Sequence, residues 1–392
     1  MCDKAAYRPV ASRKMRILHT VQSYLPERNG MQKFVQELSE RLEQQGHRVT
    51  VATSGEGSDT IGGVNIERFQ CAGNLATGLT GEICRYRNYV LEQDYDIVVN
   101  FAAQQWATDA LLPYLDRIQK PKVSVPTGFS GLYLPEYAEY FERMKMWAKH
   151  YDATVFHSYG YRDIKWAQEN HIPGITYIPN GASEQEFEAP YDPYIRDNYG
   201  IPRDRLVVLL VGSHTGQKGH REAIRIFKRA QIGKATLVIV GEPTTTRCTW
   251  ECAFQDLISS SSKKILVVNP DRKDIVALYH TADVFMFPSN IEAGPLVLYE
   301  AMASRTPWLA TDVGCAKELE GGWILPTTID AKGYSHANIG ASALFLEKIY
   351  KDPQTRRNMG LEGHAAWKQH YTWDKVSVQY EMMYERLIKS KQ

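Results

Sequence analysis

Leu206-Val-Val-Leu-Leu-Val211 is a run of apolar residues with no polar break, and the glycine-rich loop Gly212-Ser-His-Thr-Gly-Gln-Lys-Gly219 follows at once. The run is of strand length, and a strand apolar at every position is buried on both faces. Such a strand needs helices on both sides of its sheet. The next residues supply one, with Ala223, Ile226, Phe227 and Ala230 at helical spacing. Further strands at Ala235–Val240, Ile265–Val268, Val284–Phe287 and Trp308–Thr311 continue the alternation. A doubly wound α/β sheet is the expected core of this half.

The first half carries the same grammar. Arg16-Ile-Leu-His-Thr-Val21 is a strand, and a polar loop runs from Gln22 to Gly30. Met31, Phe34, Val35, Leu38 and Leu42 then recur as on an amphipathic helix, closed by Gly46. Gly30 either lets backbone approach a ligand or only makes a turn with Asn29. Strands at Val49–Thr53, Asp96–Phe101, Lys122–Pro126, Asp152–Ser158 and Ile175–Gly181 complete a first domain. Asp94-Tyr-Asp96 reads as a metal-binding triplet or as an ordinary acidic strand start. Between Glu136 and Tyr151 an aromatic stripe with interleaved Arg143, Lys145 and Lys149 fits a core-facing helix or a membrane-surface one. The expected division is a disordered leader over 1–14, a first domain over 15–184, a linker over 185–204, a second domain over 205–370 and a terminal helix over 371–392.

A chain of 392 residues exceeds one ordinary core, and its net charge of +1 gives no reason to expect nucleic acid as a partner. No apolar run approaches the ~20 residues that span a bilayer. Six cysteines are scattered. Cys248 and Cys252 form one C-x3-C pair with no second pair to complete a zinc site, so buried or free thiols and no metal are expected. The composition suits a cytoplasmic, reducing setting.

Phe287–Ser304 combines a strand end, a polar loop and a helix with Pro295 placed as its first residue. Glu292 and Glu300 bracket the helix start, whose free N–H groups and dipole suit a phosphate. A carboxylate farther along could accept from sugar hydroxyls. Lys218 brings a compact charge to the other glycine-rich loop, which lacks P-loop spacing, and neither half has G-x-G-x-x-G.

Taken in order, several motifs resemble the retaining glycosyltransferases of family 4, from Met15 onward. They are Glu292 to Glu300 with Glu300-Ala-Met-Ala303, Asn180-Gly181 after Ile178-Pro179, the loop ending Lys218-Gly219, Ala282-Asp283, Thr311-Asp-Val-Gly314 and Tyr371-Thr-Trp373. The resemblance implies a GT-B fold of two facing Rossmann-like domains, with the last helix crossing back to the first. It implies a nucleotide diphosphate sugar donor, UDP-sugar before GDP-sugar, and no metal or other cofactor. Glu300 would bind ribose, Glu292 the donor sugar, and Lys218 the pyrophosphate with backbone at Ala293, Gly294, Pro295 and Leu296. Gly30 would close on the phosphates, and Glu292 and Lys218 would be the catalytic residues. Ser213 stands where the family carries arginine, with His214 next to it as a candidate donor contact. Thr127 stands where a histidine is often found, and Pro295 lacks an N–H. The acceptor side is expected around Gln104, Trp106, Thr127 and Tyr133, either stacking on a sugar or serving as core. The acceptor itself would be a glycan, a lipid-linked saccharide or a small molecule, with peripheral membrane contact an option. An alternative reading is a non-catalytic GT-B subunit that binds sugar or stabilises a partner transferase.

Overall fold

The computed structural model describes residues 13–27, 29–243 and 246–391. Most of the expected leader therefore lies outside the described residues, as does Cys2. Two compact units emerge: Met1–Val125, Met146–Thr154 and Ser377–Gln392 supply the described residues of the first, and Pro126–Lys145 with Val155–Val376 form the second.

The first unit is built on β1 (Arg16–Thr20), β2 (Arg48–Ser54), β3 (Ser58–Ile61) and β4 (Val64–Phe69). A small hairpin of β5 (Cys71–Asn74) and β6 (Gly78–Gly81) follows, then β7 (Ile97–Phe101), β8 (Lys122–Val125) and β9 (Ala153–Phe156). The sheet runs β9-β8-β7-β1-β2-β4-β3, with β9 joining through Ala153 and Thr154. Every pairing is parallel except β3 with β4. The order reverses between β1 and β7, so the loops after these strands open on one crevice at the strands' carboxyl ends. The loop after β1 ends at Asn29, whose side chain accepts from the Gln32 N–H at 2.8 Å and caps the helix Gly30–Gln44. Gly46, at φ 94, closes that helix as its sequence anticipates. Asp96 pairs with Arg16 at 3.0 Å, and Asp94 binds the same guanidinium, so the acidic triplet braces the start of β1.

From Ser377 onward the last helix, Trp373–Ser390, belongs to this unit. Tyr380 packs against Phe34, Tyr384 meets His19 edge-on, and His47 Nε2 lies 2.9 Å from Glu381.

In the second unit β10 (Ile175–Tyr177) precedes β11 (Leu206–Val211), β12 (Ala235–Val240), β13 (Lys263–Val268), β14 (Val284–Phe287), β15 (Trp308–Ala310) and β16 (Gly322–Ile324). The sheet order β13-β12-β11-β14-β15-β16 is parallel throughout. In chain order this is 3-2-1-4-5-6, the dinucleotide-fold arrangement, with its reversal between β11 and β14. Val207 and Leu209 face one apolar core, and Val208 and Leu210 face another. The unbroken apolar strand is buried on both sides because both sides carry helices.

Two boundaries differ from the sequence reading. Residues 185–204 do not form a free linker, because Phe187, Ile195 and Ile201 sit in the second unit's core. Three apolar anchors at irregular spacing, among many acidic residues, give no period to detect. The segment Pro126–Lys145 joins the second unit rather than the first. Phe129 and Phe141 meet Trp166 edge-on at 5.2 and 5.9 Å, a contact between distant residues that local pattern does not announce. The stripe Tyr140, Phe141, Met144, Trp147, Ala148 and Tyr151 is buried, and Lys145 pairs with Glu142 at 2.5 Å. The helix faces the core. Among the described residues no helix is long and apolar enough to cross a membrane.

The edge of the second sheet offers a direct check. A Cβ on Gly322 would lie 1.9 Å from the ring of Trp308, whose Nε1–H donates to the Glu320 carbonyl at 3.0 Å. Gly322→Ala should lower unfolding free energy by about 1–3 kcal/mol through overpacking. The drop should appear as a lower denaturant midpoint at unchanged slope.

Candidate active site

The loops that leave β11 and β14 meet at the point where the second sheet reverses its order. Their contact is close because Gly219 brings no side chain to it. Gly219 has φ 72, and a Cβ there would lie 1.9 Å from the Pro288 carbonyl. The Gln217 carbonyl accepts from the Asn290 N–H at 2.8 Å and from Ser289 Oγ at 3.1 Å. This stitching brings Lys218 Nζ within 2.5 Å of Glu292 Oε1, and Ser289 Oγ lies 3.2 Å from the same oxygen. An ammonium has three donors, so Lys218 can keep Glu292 and still serve an anion.

The loop carrying Glu292 continues as Ala293-Gly294-Pro295 into the helix Leu296–Ala303. Pro295 is the residue before the helix, with ψ 110, rather than its first residue. Such one-residue shifts are common at helix ends. The consequence is useful: Leu296 and Val297 are the first helical residues, and their N–H groups have no preceding turn to bond. Pro295 therefore does not sit among the donors of the first turn.

Carbonyls of this loop face inward. Asn180 Nδ2 donates to the Gly294 carbonyl at 2.7 Å, and the Cys315 N–H to Ala293 at 3.1 Å. A Cβ at Gly294 would meet Asn180 at 2.7 Å and His157 at 2.8 Å. Burial lowers the His157 pKa to about 4, opposed by its bond to the Ile178 carbonyl, so this ring is neutral near pH 7. Gly128 closes the opposite side, where a Cβ would come within 2.9 Å of the Ala293 Cβ. Its neighbour Thr127 adopts φ 56, an uncommon conformation outside glycine.

Glu300, one turn into the helix, is buried. Arg272 Nη2 reaches Glu300 Oε1 at 2.6 Å and Glu186 Oε2 at 2.7 Å. Burial works against the Arg272 charge, yet the two carboxylates hold its pKa above the ordinary arginine value.

Lys218, Glu292, Ala293, Gly294, Pro295, Leu296 and Glu300 are thus brought together in one unit, with Thr127 beside them through Gly128. Ser213 is exposed at the head of the glycine-rich loop. His214 is not turned toward Lys218's partner. Its buried ring stacks on His220, and Nδ1 lies 3.5 Å from Cys248 Sγ. Gly30 and Gln104 belong to the first unit, where a side chain on Gly30 would meet open space and Gln104 holds φ 62. Trp106 is core: it is fully buried, its Nε1–H donates to Ser54 Oγ at 2.9 Å, and its ring meets Tyr86 edge-on. Tyr133 is 52% exposed, with the Arg162 guanidinium 5.2 Å from its ring centre.

Residues 192–365 match the family model of glycosyl transferases group 1, and residues 28–186 match that of glycosyltransferase family 4. The chain belongs to this glycosyltransferase family. Among its relatives are lipopolysaccharide 1,2-N-acetylglucosaminetransferase of Salmonella typhimurium and D-inositol 3-phosphate glycosyltransferase of Corynebacterium glutamicum. The first is 23% identical, over 56% of this chain and 58% of that protein; the second is 30% identical, over 49% and 46%. The chain spans about half the length of the curated relatives it matches. Its GT-B fold is shared with sucrose-phosphate synthase from Thermosynechococcus elongatus, at TM-score 0.77 and 18% identity over 96% of this chain and 100% of that one. Anabaena HepE in complex with UDP-glucose is also similar, at TM-score 0.68 and 16% identity over the same shares.

Several residues of this site escaped the sequence reading. Arg272 lies on a different helix from Glu300, and only the fold joins them. Ser289 lay within the stretch Phe287–Ser304 without a distinguishing spacing. Asn180 stood inside a recognised motif, but its role as a brace on Gly294 needs the tertiary contact.

Asp163 fixes the Thr127–Gly128 turn by accepting from the Gly128 N–H at 2.9 Å. Burial pushes its carboxyl up to about 6, partly opposed by bonds from the Ile164 and Gly128 N–H groups. Between about pH 4 and 6 the folded chain holds a proton that the unfolded chain has released, so stability falls as pH rises through that window. Unfolding titrations should show a total loss of up to about 3 kcal/mol across that window, absent in Asp163→Asn, which keeps an acceptor for Gly128.

Proposed function

We propose that this chain transfers a sugar from a nucleotide diphosphate sugar, a UDP-sugar before a GDP-sugar, to a glycan, lipid-linked or small-molecule acceptor. The anomeric configuration is retained, and the chemical step needs no divalent metal. The observation that carries the reading is the Lys218–Glu292 pair at 2.5 Å, set at the reversal point of the second sheet beside an open helix start. The family membership and the UDP-glucose complex of the structurally similar HepE support it.

Breaking the bond from the anomeric carbon to the diphosphate leaves new negative charge on the leaving oxygens. Lys218 and the N–H groups of Leu296 and Val297 meet that charge with a fixed cation and a helix dipole. Glu300 gives one oxygen to Arg272 and has a second with which to accept from ribose hydroxyls. Glu292, beside Lys218, accepts from hydroxyls of the transferred sugar. Thr127, Tyr133 and Gln104 remain the proposed acceptor-side residues.

A second reading, a non-catalytic subunit, rests on Ser213 in the arginine position and on His214 facing Cys248. A thermal-shift and donor-turnover screen separates the two. Selective stabilisation by one nucleotide-sugar class is expected, lost in Glu300→Ala. Lys218→Ala should lower turnover by about 10²–10³-fold, the range for removing a group that stabilises transition-state charge. No stabilisation and no turnover with any donor would give the second reading its place.

The metal-independent step has its own check. Added Mg²⁺ or Mn²⁺ should leave the rate unchanged, because Lys218 and the helix start supply the positive charge. Strict dependence on either ion would defeat it.

A further inference from the structure

A cluster of nitrogen and sulfur ligands joins the glycine-rich loop to the helix Arg247–Leu257. Cys248 and Cys252 stand one turn apart on the helix Arg247–Leu257, so their thiols share a face. His214 comes from the loop after β11. The ligand atoms of these three residues all lie within 4.8 Å of one another. His214 Nδ1 is 3.5 Å from Cys248 Sγ. Around a tetrahedral zinc ion, bonds of about 2.3 Å to sulfur and about 2.0–2.1 Å to nitrogen set those atoms about 3.6 Å apart.

A fourth nitrogen-bearing group stands next to these three. His220, the first residue of the helix His220–Arg229, is 1% exposed, and its ring stacks on His214 with centroids 4.5 Å apart. Its Nε2 lies 3.2 Å from the Gly212 carbonyl. An Nε2–H donating there leaves the Nδ1 lone pair unprotonated, the arrangement by which backbone carbonyls orient metal-binding imidazoles. That buried Nδ1 has no hydrogen-bond partner.

We infer that Cys248, Cys252, His214 and His220 form a four-ligand site for a thiolate-preferring divalent transition cation of the zinc class. Two thiolates and two imidazoles match its preference for sulfur and nitrogen in tetrahedral geometry. Four protein ligands leave no open position, so the ion is structural. It ties the helix Arg247–Leu257 to the loop that carries Lys218. The expectation of free thiols looked for a second cysteine pair, whereas the missing ligands are histidines. This inference is independent of the sugar-transfer reading, because its readout is metal uptake.

The test uses the full chain, purified under reductant, stripped with a chelator and given zinc alone. Elemental analysis after gel filtration should find about one zinc per chain. Zinc should also block both thiols from a thiol reagent, and cobalt in its place should give thiolate-to-metal charge-transfer absorption. Cys248→Ser with Cys252→Ser should abolish uptake, and His214→Ala or His220→Ala should weaken it. Uptake equal in the wild type and the double serine variant overturns the site. So does a Cys248–Cys252 disulfide under the same reductant, or cobalt bound without the charge-transfer band. If the double variant fails to fold, zinc protection of the wild-type thiols decides alone, and thiols that react unprotected end the proposal.

Discussion

The parallel pairing of β11 with β14 is the constraint on which the rest of the second unit depends. Val208 stands opposite Val284, and Leu209 opposite Phe285, so the two strands finish side by side. No element separates their loops. Glycine at 219 then allows the loop backbone to approach Pro288 at a distance no side chain would permit. The pairing of Lys218 with Glu292 follows from that approach. A change of register by one residue would reverse the faces of the strand and separate the charges together.

Around this junction the backbone has little freedom. Gly128, Gly294 and Gly314 each press against the Glu292 loop or its neighbours, and a Cβ at Gly314 would come within 2.1 Å of the Ala293 carbonyl. The carbonyls of Ala293 and Gly294 are already engaged by Cys315 and Asn180. What remains available is the side chain of Glu292 and the N–H groups of the helix start. Rigidity of this kind lets donors face a developing charge without reorganising first. The Glu186–Arg272–Glu300 chain, in which Glu300 is buried, serves the same end. One guanidinium fork holds Glu300 in place, which matters because an unpaired buried carboxylate would be strongly destabilising.

Local pattern carried much of this. The amphipathic helix Gly30–Gln44 and its closure at Gly46 were legible because one face must bury Phe34, Val35, Leu38 and Leu42. Glu292, Glu300 and Lys218 were legible as chemistry because charged residues beside glycine-rich turns have few packing uses. Trp106 was ambiguous for the opposite reason. An indole serves equally as core or as a stacking surface, and only its contacts with Tyr86 and Ser54 settle which.

The sequence by itself determined the alternation of strand and helix, because unbroken apolar strands can be buried only between helical layers. It also determined which charged groups stand next to flexible turns. Tertiary structure alone decided which of them meet. Lys218 and Glu292 are 74 residues apart, and Arg272 and Glu300 lie on separate helices. His214 reads in the chain as a neighbour of the phosphate loop. In the fold its ring faces Cys248, 34 residues away, because the interior behind the loop takes its ring while Ser213 stays outside.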